Sequence, residues 1–207
     1  MLADSSVIHV LDDDPSMRRS LVRLLRAYGW DARAHDSVSG FKASTAATDP
    51  GCLLLDVRLG DGSGLDLLEE LAQDDSPLAI VLISGYGDVP STVRAMRSGA
   101  VDVLTKPPDA ARLQEAVTRA DALSRQQFAR KQEAGHLREL FDRLTPRERE
   151  VCALVARGML NKQIAGELGA SEKTVKVHRG RVMTKLEVGS VAELVRLVDR
   201  VGSPAPA

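Results

Sequence analysis

The feature that most constrains this 207-residue chain is a change of period. Up to residue 105, short apolar runs alternate with amphipathic stretches, whereas beyond residue 145 every strong segment has helical spacing. Five runs read as strands: 7–11, a weaker one at 31–35, then 52–55, 78–83 and 101–104. Between them, helices are predicted from Asp14-Pro15 through Leu21, Leu24 and Leu25, near 37–46, from Ser63-Gly64 through Leu65, Leu68 and Leu71, and over 89–97. Asp14 suits a helix N-cap and Pro15 the first helical position. Strands this apolar, separated by helices, belong to a parallel sheet covered on both faces. The pattern predicts a doubly wound α/β fold with five parallel strands.

Residues 109–140 keep a helical period through Leu113, Val117, Ala120 and Leu123 while becoming rich in Gln, Arg, Glu and Ala. They read as a last α/β-domain helix running on into a solvated helical linker. Thr145-Pro146-Arg147-Glu148 then combines an N-cap, a first-position proline and a capping-box glutamate. Asn161 is expected to cap a second, short helix ending near Leu168-Gly169, Ser171 a third, and Ser190 a fourth. The expected organisation is an α/β domain over 1–121, a helical linker over 122–142 and an all-α four-helix domain over 143–207, ending in a disordered tail.

Charge divides the same way. Residues 143–207 carry 12 Lys+Arg against 7 Asp+Glu, a net of +5, and residues 1–142 carry 16 against 22, a net of −6. A basic rear half suggests nucleic acid as its partner. No apolar run is long enough to span a bilayer, and the first residues lack the pattern of an export signal. Cys52 and Cys152 sit in apolar stretches, as small buried hydrophobes of a reducing compartment do. A cytoplasmic location is expected.

In a doubly wound sheet, ligand chemistry gathers at the carboxyl ends of the strands. Here those ends are Asp12-Asp13, Asp56, Ser84-Gly85 and Thr105-Lys106-Pro107. Three carboxylates brought to one rim repel one another unless a cation joins them, and hard oxygens at that density suit Mg²⁺. A carboxylate beside Mg²⁺ can accept a phosphoryl group, with Lys106 adding neutralisation and the Ser84 hydroxyl bonding a phosphate oxygen.

At Val10-Leu11-Asp12-Asp13-Asp14, Leu54-Leu55-Asp56, Ile83-Ser84-Gly85 and Lys106-Pro107, residues 7–121 resemble a response regulator receiver domain. The runs beginning at Gly85 and Ser98 resemble the FixJ type. This resemblance implies phosphorylation of Asp56 by a sensor histidine kinase. It implies Mg²⁺ held by Asp13, Asp56 and the backbone carbonyl of Arg58, with Asp12 acting through water, and a cis peptide at Lys106-Pro107. It places Arg58 and Tyr86 where dephosphorylation rate is tuned. Three positions depart from the family pattern. Leu59-Gly60 replaces Met-Pro, which predicts a looser loop; Val103 replaces an aromatic switch residue; Pro108 replaces Phe on the edge where active receivers pair.

Leu144-Thr145-Pro146-Arg147-Glu148, Asn161-Lys162-Gln163-Ile164-Ala165 and Thr174-Val175-Lys176-Val177-His178 resemble a LuxR-type helix-turn-helix, making the whole similar to NarL/FixJ response regulators. The third helix carries Lys173, Lys176, Arg179, Arg181 and Lys185. By position, Lys176, Val177 and Gly180 face base edges of double-stranded promoter DNA with Arg179 and Arg181 nearby, while Thr174 and Lys185 meet phosphates. The resemblance further implies a homodimer on activation and no enzymatic activity beyond phosphoryl transfer to Asp56 and its slow loss. A regulator whose receiver serves only for phosphate-independent dimerisation is the alternative. A metal-dependent phosphatase is disfavoured because Asp56-Val57-Arg58 has no second acid two residues on.

Overall fold

The computed structural model describes residues 6–44, 49–85 and 87–201. The chain forms two compact units, residues 1–129 and 130–207. The first contains β1 (Val7–Leu11), α1 (Pro15–Ala27), β2 (Asp31–His35), α2 (Val38–Ala43), β3 (Gly51–Asp56), β4 (Arg58–Leu59), β5 (Gly62–Ser63), α3 (Gly64–Gln73), β6 (Leu78–Ser84), α4 (Val89–Arg97) and β7 (Asp102–Thr105). Next comes α5 (Ala110–Asp142), a 33-residue helix whose first part belongs to this unit and whose last part belongs to the second.

The expected five-stranded sheet is present, in the order β2-β1-β3-β6-β7 with every neighbouring pair parallel. Alternation along β3 divides the core. Leu53 and Leu55 pack with Phe41, Leu65, Leu68 and Leu82 on the α2–α3 face, while Cys52 and Leu54 pack with Leu21, Leu25, Leu113 and Val117 under α1 and α5. Asp14 caps α1 through Ser16 N–H (2.7 Å) and Met17 N–H (3.3 Å), with Pro15 in the first turn as expected. The expected helix near 37–46 runs over Val38–Ala43, and residues 45–48 lie outside the described set, as do Tyr86 and the tail.

Two local features hold strand ends in place. At the end of the sheet opposite the acidic residues, the buried Ser124 hydroxyl accepts from Gly51 N–H (2.8 Å) and donates to Pro77 O (2.5 Å). At the other end, α3 starts so close to β3 that a Cβ on Gly64 would lie 2.0 Å from the Asp56 carbonyl oxygen. Only glycine fits there.

The second unit contains α6 (Pro146–Ala156), α7 (Asn161–Glu167), α8 (Glu172–Lys185) and α9 (Val191–Val201) around Leu140, Phe141, Val151, Val155, Ile164, Val175, Val182 and Leu194. The capping box is formed, with Thr145 Oγ1 accepting from Glu148 N–H (3.3 Å) and Glu148 Oε2 from Thr145 N–H (2.9 Å). Asn161 does not cap α7. The N-cap is Leu160, whose N–H donates to Gln163 Oε1 (2.8 Å), and Asn161 Oδ1 accepts instead from Arg179 (3.0 Å). The side chain of Asn161 is drawn to the charged guanidinium, a stronger donor than a backbone amide.

An imidazole pair, one ring buried and the other half-buried, not signalled by any strand or helix pattern, lies between β1, β2 and α2. His9 Nδ1 and His35 Nε2 are 3.0 Å apart, and both rings meet Phe41 edge-on. Burial, then the charges of His35 and Arg33, lower His9 from 6.5 to about 4, opposed only by Asp31. The unfolded chain therefore binds this proton near 6.5 and the folded one near 4, so the contribution is complete above pH 6.5 and declines as pH falls towards 4. Against His9→Phe, wild type is expected to lose about 1 kcal/mol more stability between pH 7 and pH 5, screening included. Urea unfolding at the two pH values measures the difference.

Candidate functional site

The sheet brings the acidic residues together as predicted. Asp12 follows β1, and Asp56, Ser84 and Thr105 end β3, β6 and β7. One carboxylate oxygen each from Asp12, Asp13 and Asp56 lies within 4.8 Å of the other two. Asp12 and Asp56 are buried and Asp13 is exposed. Lys106, placed by a backbone bond from its N–H to Ser84 O (2.8 Å), reaches Asp12 Oδ2 at 2.8 Å and Asp56 Oδ2 at 2.6 Å. The Lys106-Pro107 peptide is cis. Asp14 N–H donates to Asp12 Oδ1 (2.8 Å) and Arg58 N–H to Asp56 Oδ1 (3.2 Å).

Burial raises Asp56 above the ordinary carboxylate range, and the opposing contacts from Lys106 and the Arg58 N–H do not bring it back. Burial alone would lower Lys106, but its bonds to Asp12 and Asp56 outweigh that and hold it above its ordinary value. The geometry places three carboxylates around one ammonium. A hard divalent cation matches such a donor set, and the clustering fits the Mg²⁺ that the sequence implies.

Beside the carboxylates opens a cavity of about 260 Å³ lined by Asp56, Val57, Arg58, Ser84, Gly85, Asp88 and Lys106. The buried Ser84 hydroxyl donates to Gly85 O at 3.4 Å, a long bond that leaves it available. Asp88 was not foreseen as part of this site; the signal was its position four residues beyond Ser84, before Val89-Pro90. The loop at Leu59-Gly60 is not loose. It is the turn of the β4–β5 hairpin, and Asp61 at its tip accepts from Val38 N–H (3.0 Å), Ser39 N–H (3.1 Å) and Ser39 Oγ (3.0 Å). Those bonds replace the stiffness of the missing proline.

In the second unit, α7 and α8 are joined through Gly169, at φ +60°, and the turn is held by Arg147 donating to Leu168 O (2.5 Å). Val175 and Val182 are buried, so Lys173, Lys176, Val177, Gly180 and Arg181 share the exposed face of α8. Thr174 is exposed at its first turn, where its hydroxyl meets Ser171 Oγ at 2.8 Å. Arg179 is half-buried against Asn161. Lys185 stands apart, because its ammonium donates to the buried Glu148 carboxylate (2.6 Å) and to Arg143 O (2.9 Å). Burial pushes Glu148 up, but Lys185 and the Thr145 N–H more than reverse this and hold it below the usual range. Lys185 thus ties the end of α8 to the start of α6.

The family model for response regulator receiver domains matches residues 8–118, and that for bacterial regulatory proteins of the luxR family matches residues 142–198. The chain belongs to the response regulator family. Like this response regulator, nodulation protein W of Bradyrhizobium diazoefficiens spans both parts, with 44% identity over 97% of this chain and 88% of that protein. The response regulator protein TodT of Pseudomonas putida is 41% identical over 95% of this chain and 87% of its own. Among solved structures, the response regulator StyR matches with a TM-score of 0.89 at 41% identity, covering 95% of this chain and all of that one. Full-length FixJ from B. japonicum matches at 0.58 and 35%, covering 98% of this chain and all of that one. This response regulator is a two-component transcription regulator with a receiver and a LuxR-type DNA-binding domain. Among its described residues, no helix is long and apolar enough to cross a membrane.

Removing Lys185 would take away the cation described against the buried Glu148 carboxylate. Lys185→Met is expected to destabilise the second unit by about 2 kcal/mol, and the double variant with Glu148→Gln by less, in chemical unfolding of the full-length protein.

Proposed function

We propose that Asp56 accepts a phosphoryl group from a sensor histidine kinase and that this modification controls DNA binding by α8. The observation that carries the reading is the Lys106 bridge between Asp12 and Asp56 beside a cavity that Ser84 also lines. Asp12, Asp13, Asp56 and the carbonyl of Arg58 are the residues that would hold Mg²⁺, whose charge would offset the carboxylates and the incoming phosphate. The Asp56 carboxylate oxygen forms a bond to phosphorus as the P–N bond to the donor histidine breaks, and the leaving imidazole takes a proton. Lys106 neutralises phosphate oxygens as charge develops. Ser84 then donates to a phosphate oxygen, drawing its loop inward. Hydrolysis returns Asp56 to the carboxylate.

Output runs through pairing. Val89, Val93 and Met96 form an apolar stripe on α4, exposed at 66%, 45% and 50%, which offers a self-complementary surface to a second copy. Two chains so paired present two copies of α8 to a two-fold promoter site, with the gain in effective concentration that linkage brings. Lys173, Lys176, Val177 and Arg181 are the DNA-facing set, Thr174 adds a phosphate contact, and Arg179 acts from beside Asn161. Lys185 leaves the set because it is held by Glu148. Both partners place the protein in the cytoplasm. A second reading, phosphate-independent pairing, draws on Val103, which packs against the core and has no ring to swing.

With acetyl phosphate and Mg²⁺, wild type is expected to be labelled and Asp56→Asn not; equal labelling would remove the assignment. Beryllofluoride should tighten binding to a promoter fragment selected by the wild-type protein, and an unchanged affinity would favour the second reading. Lys176→Ala is expected to weaken that binding about tenfold and to flatten its dependence on salt, measured by titration at several salt concentrations.

A further inference from the structure

Asp88 serves two structures at once. It lines the cavity shared by Asp56, Ser84 and Lys106. The same carboxylate caps α4, Oδ1 accepting from Ser91 N–H (3.2 Å), and its backbone carbonyl accepts from Thr92 N–H (3.1 Å) and Thr92 Oγ1 (3.0 Å). We propose that Asp88 is a positioning residue that carries the charge state of Asp56 to α4. The inference rests on the reading of Asp56 as phosphoryl acceptor.

Phosphorylation replaces the single negative charge of a carboxylate with about two. The added charge repels a carboxylate on a residue that lines the same cavity, as Asp88 does. Lys106 is divided between Asp12 and Asp56, so its single charge offsets only part of what phosphorylation adds. The residue before Asp88 is Gly87, at φ +81°, and a glycine there lets the backbone re-orient at little steric cost. Retreat takes the hydrogen bond from Ser91 N–H and releases the first turn of α4. The apolar stripe of α4 begins at the very next residue, Val89. This route needs no aromatic ring at position 103, and so suits a chain with valine there.

Two substitutions separate charge from capping. Asn caps a helix about as well as Asp but carries no charge, whereas Ala does neither. The full-length protein would be treated with beryllofluoride and Mg²⁺, with Asp56 occupancy read by fluorine NMR and α4 by hydrogen exchange. In wild type, exchange in the first turn of α4 is expected to rise about fivefold on addition. Asp88→Asn should stay protected before and after. Asp88→Ala should exchange at the raised rate from the outset and change no further. An occupied Asp56 with no rise in wild type, a rise in Asp88→Asn equal to wild type, or an Asp88→Ala protein protected like unmodified wild type would each overturn the relay and leave the acceptor assignment standing. An Asp56 that never binds beryllofluoride would remove the acceptor reading, and the relay with it.

Discussion

One ammonium shared between two buried carboxylates is the interaction on which the receiver depends. A parallel sheet directs its strand ends to one rim, and that topology crowds Asp12, Asp13 and Asp56 together whether or not their charges favour it. Lys106 makes the crowding tolerable, and its place is set by the pairing of β7 with β6 through Ser84 and Thr105. The balance is deliberately incomplete. An excess of negative charge suits a divalent cation, and the cavity beside it has room for a phosphate.

The second unit solves a similar problem differently. Glu148 is buried as the capping-box acid of α6, and Lys185 from the far end of α8 answers it. Here the pair is closed, because Glu148 also accepts from the Thr145 N–H and Lys185 also donates to Arg143 O. A lysine that sequence position assigns to DNA thus has a prior structural engagement. The exposed face of α8 is left to Lys173, Lys176, Val177, Gly180 and Arg181.

Features that repeat at short range were legible in the chain itself. The strands were marked by apolar runs, α1 by Asp14-Pro15 and α6 by Thr145-Pro146-Arg147-Glu148, since caps and periodicities are local properties. The acidic rim was legible because strand ends in this topology converge. What escaped depended on partners distant in sequence. Asn161 has the chemistry of an N-cap yet serves Arg179, 18 residues away. Gly60 looked like a loosened loop, but Asp61 reaches across 22 and 23 residues to the start of α2. The His9–His35 pair arises from strand register, which no single run of residues reveals.

The Ser124 hydroxyl bears on where the first unit can be cut. The family pattern ends some residues earlier, near 118, yet this side chain supplies the only bond described for the Gly51 N–H outside the sheet ladder and one for the Pro77 carbonyl. A fragment ended at 121 would strand both groups in an apolar setting, with the opening turn of the β3 strand no longer tethered. Such a piece would fray from the end farthest from its chemistry. The contacts that close the first unit therefore reach beyond its motifs, to a hydroxyl that no recognisable residue pattern marks.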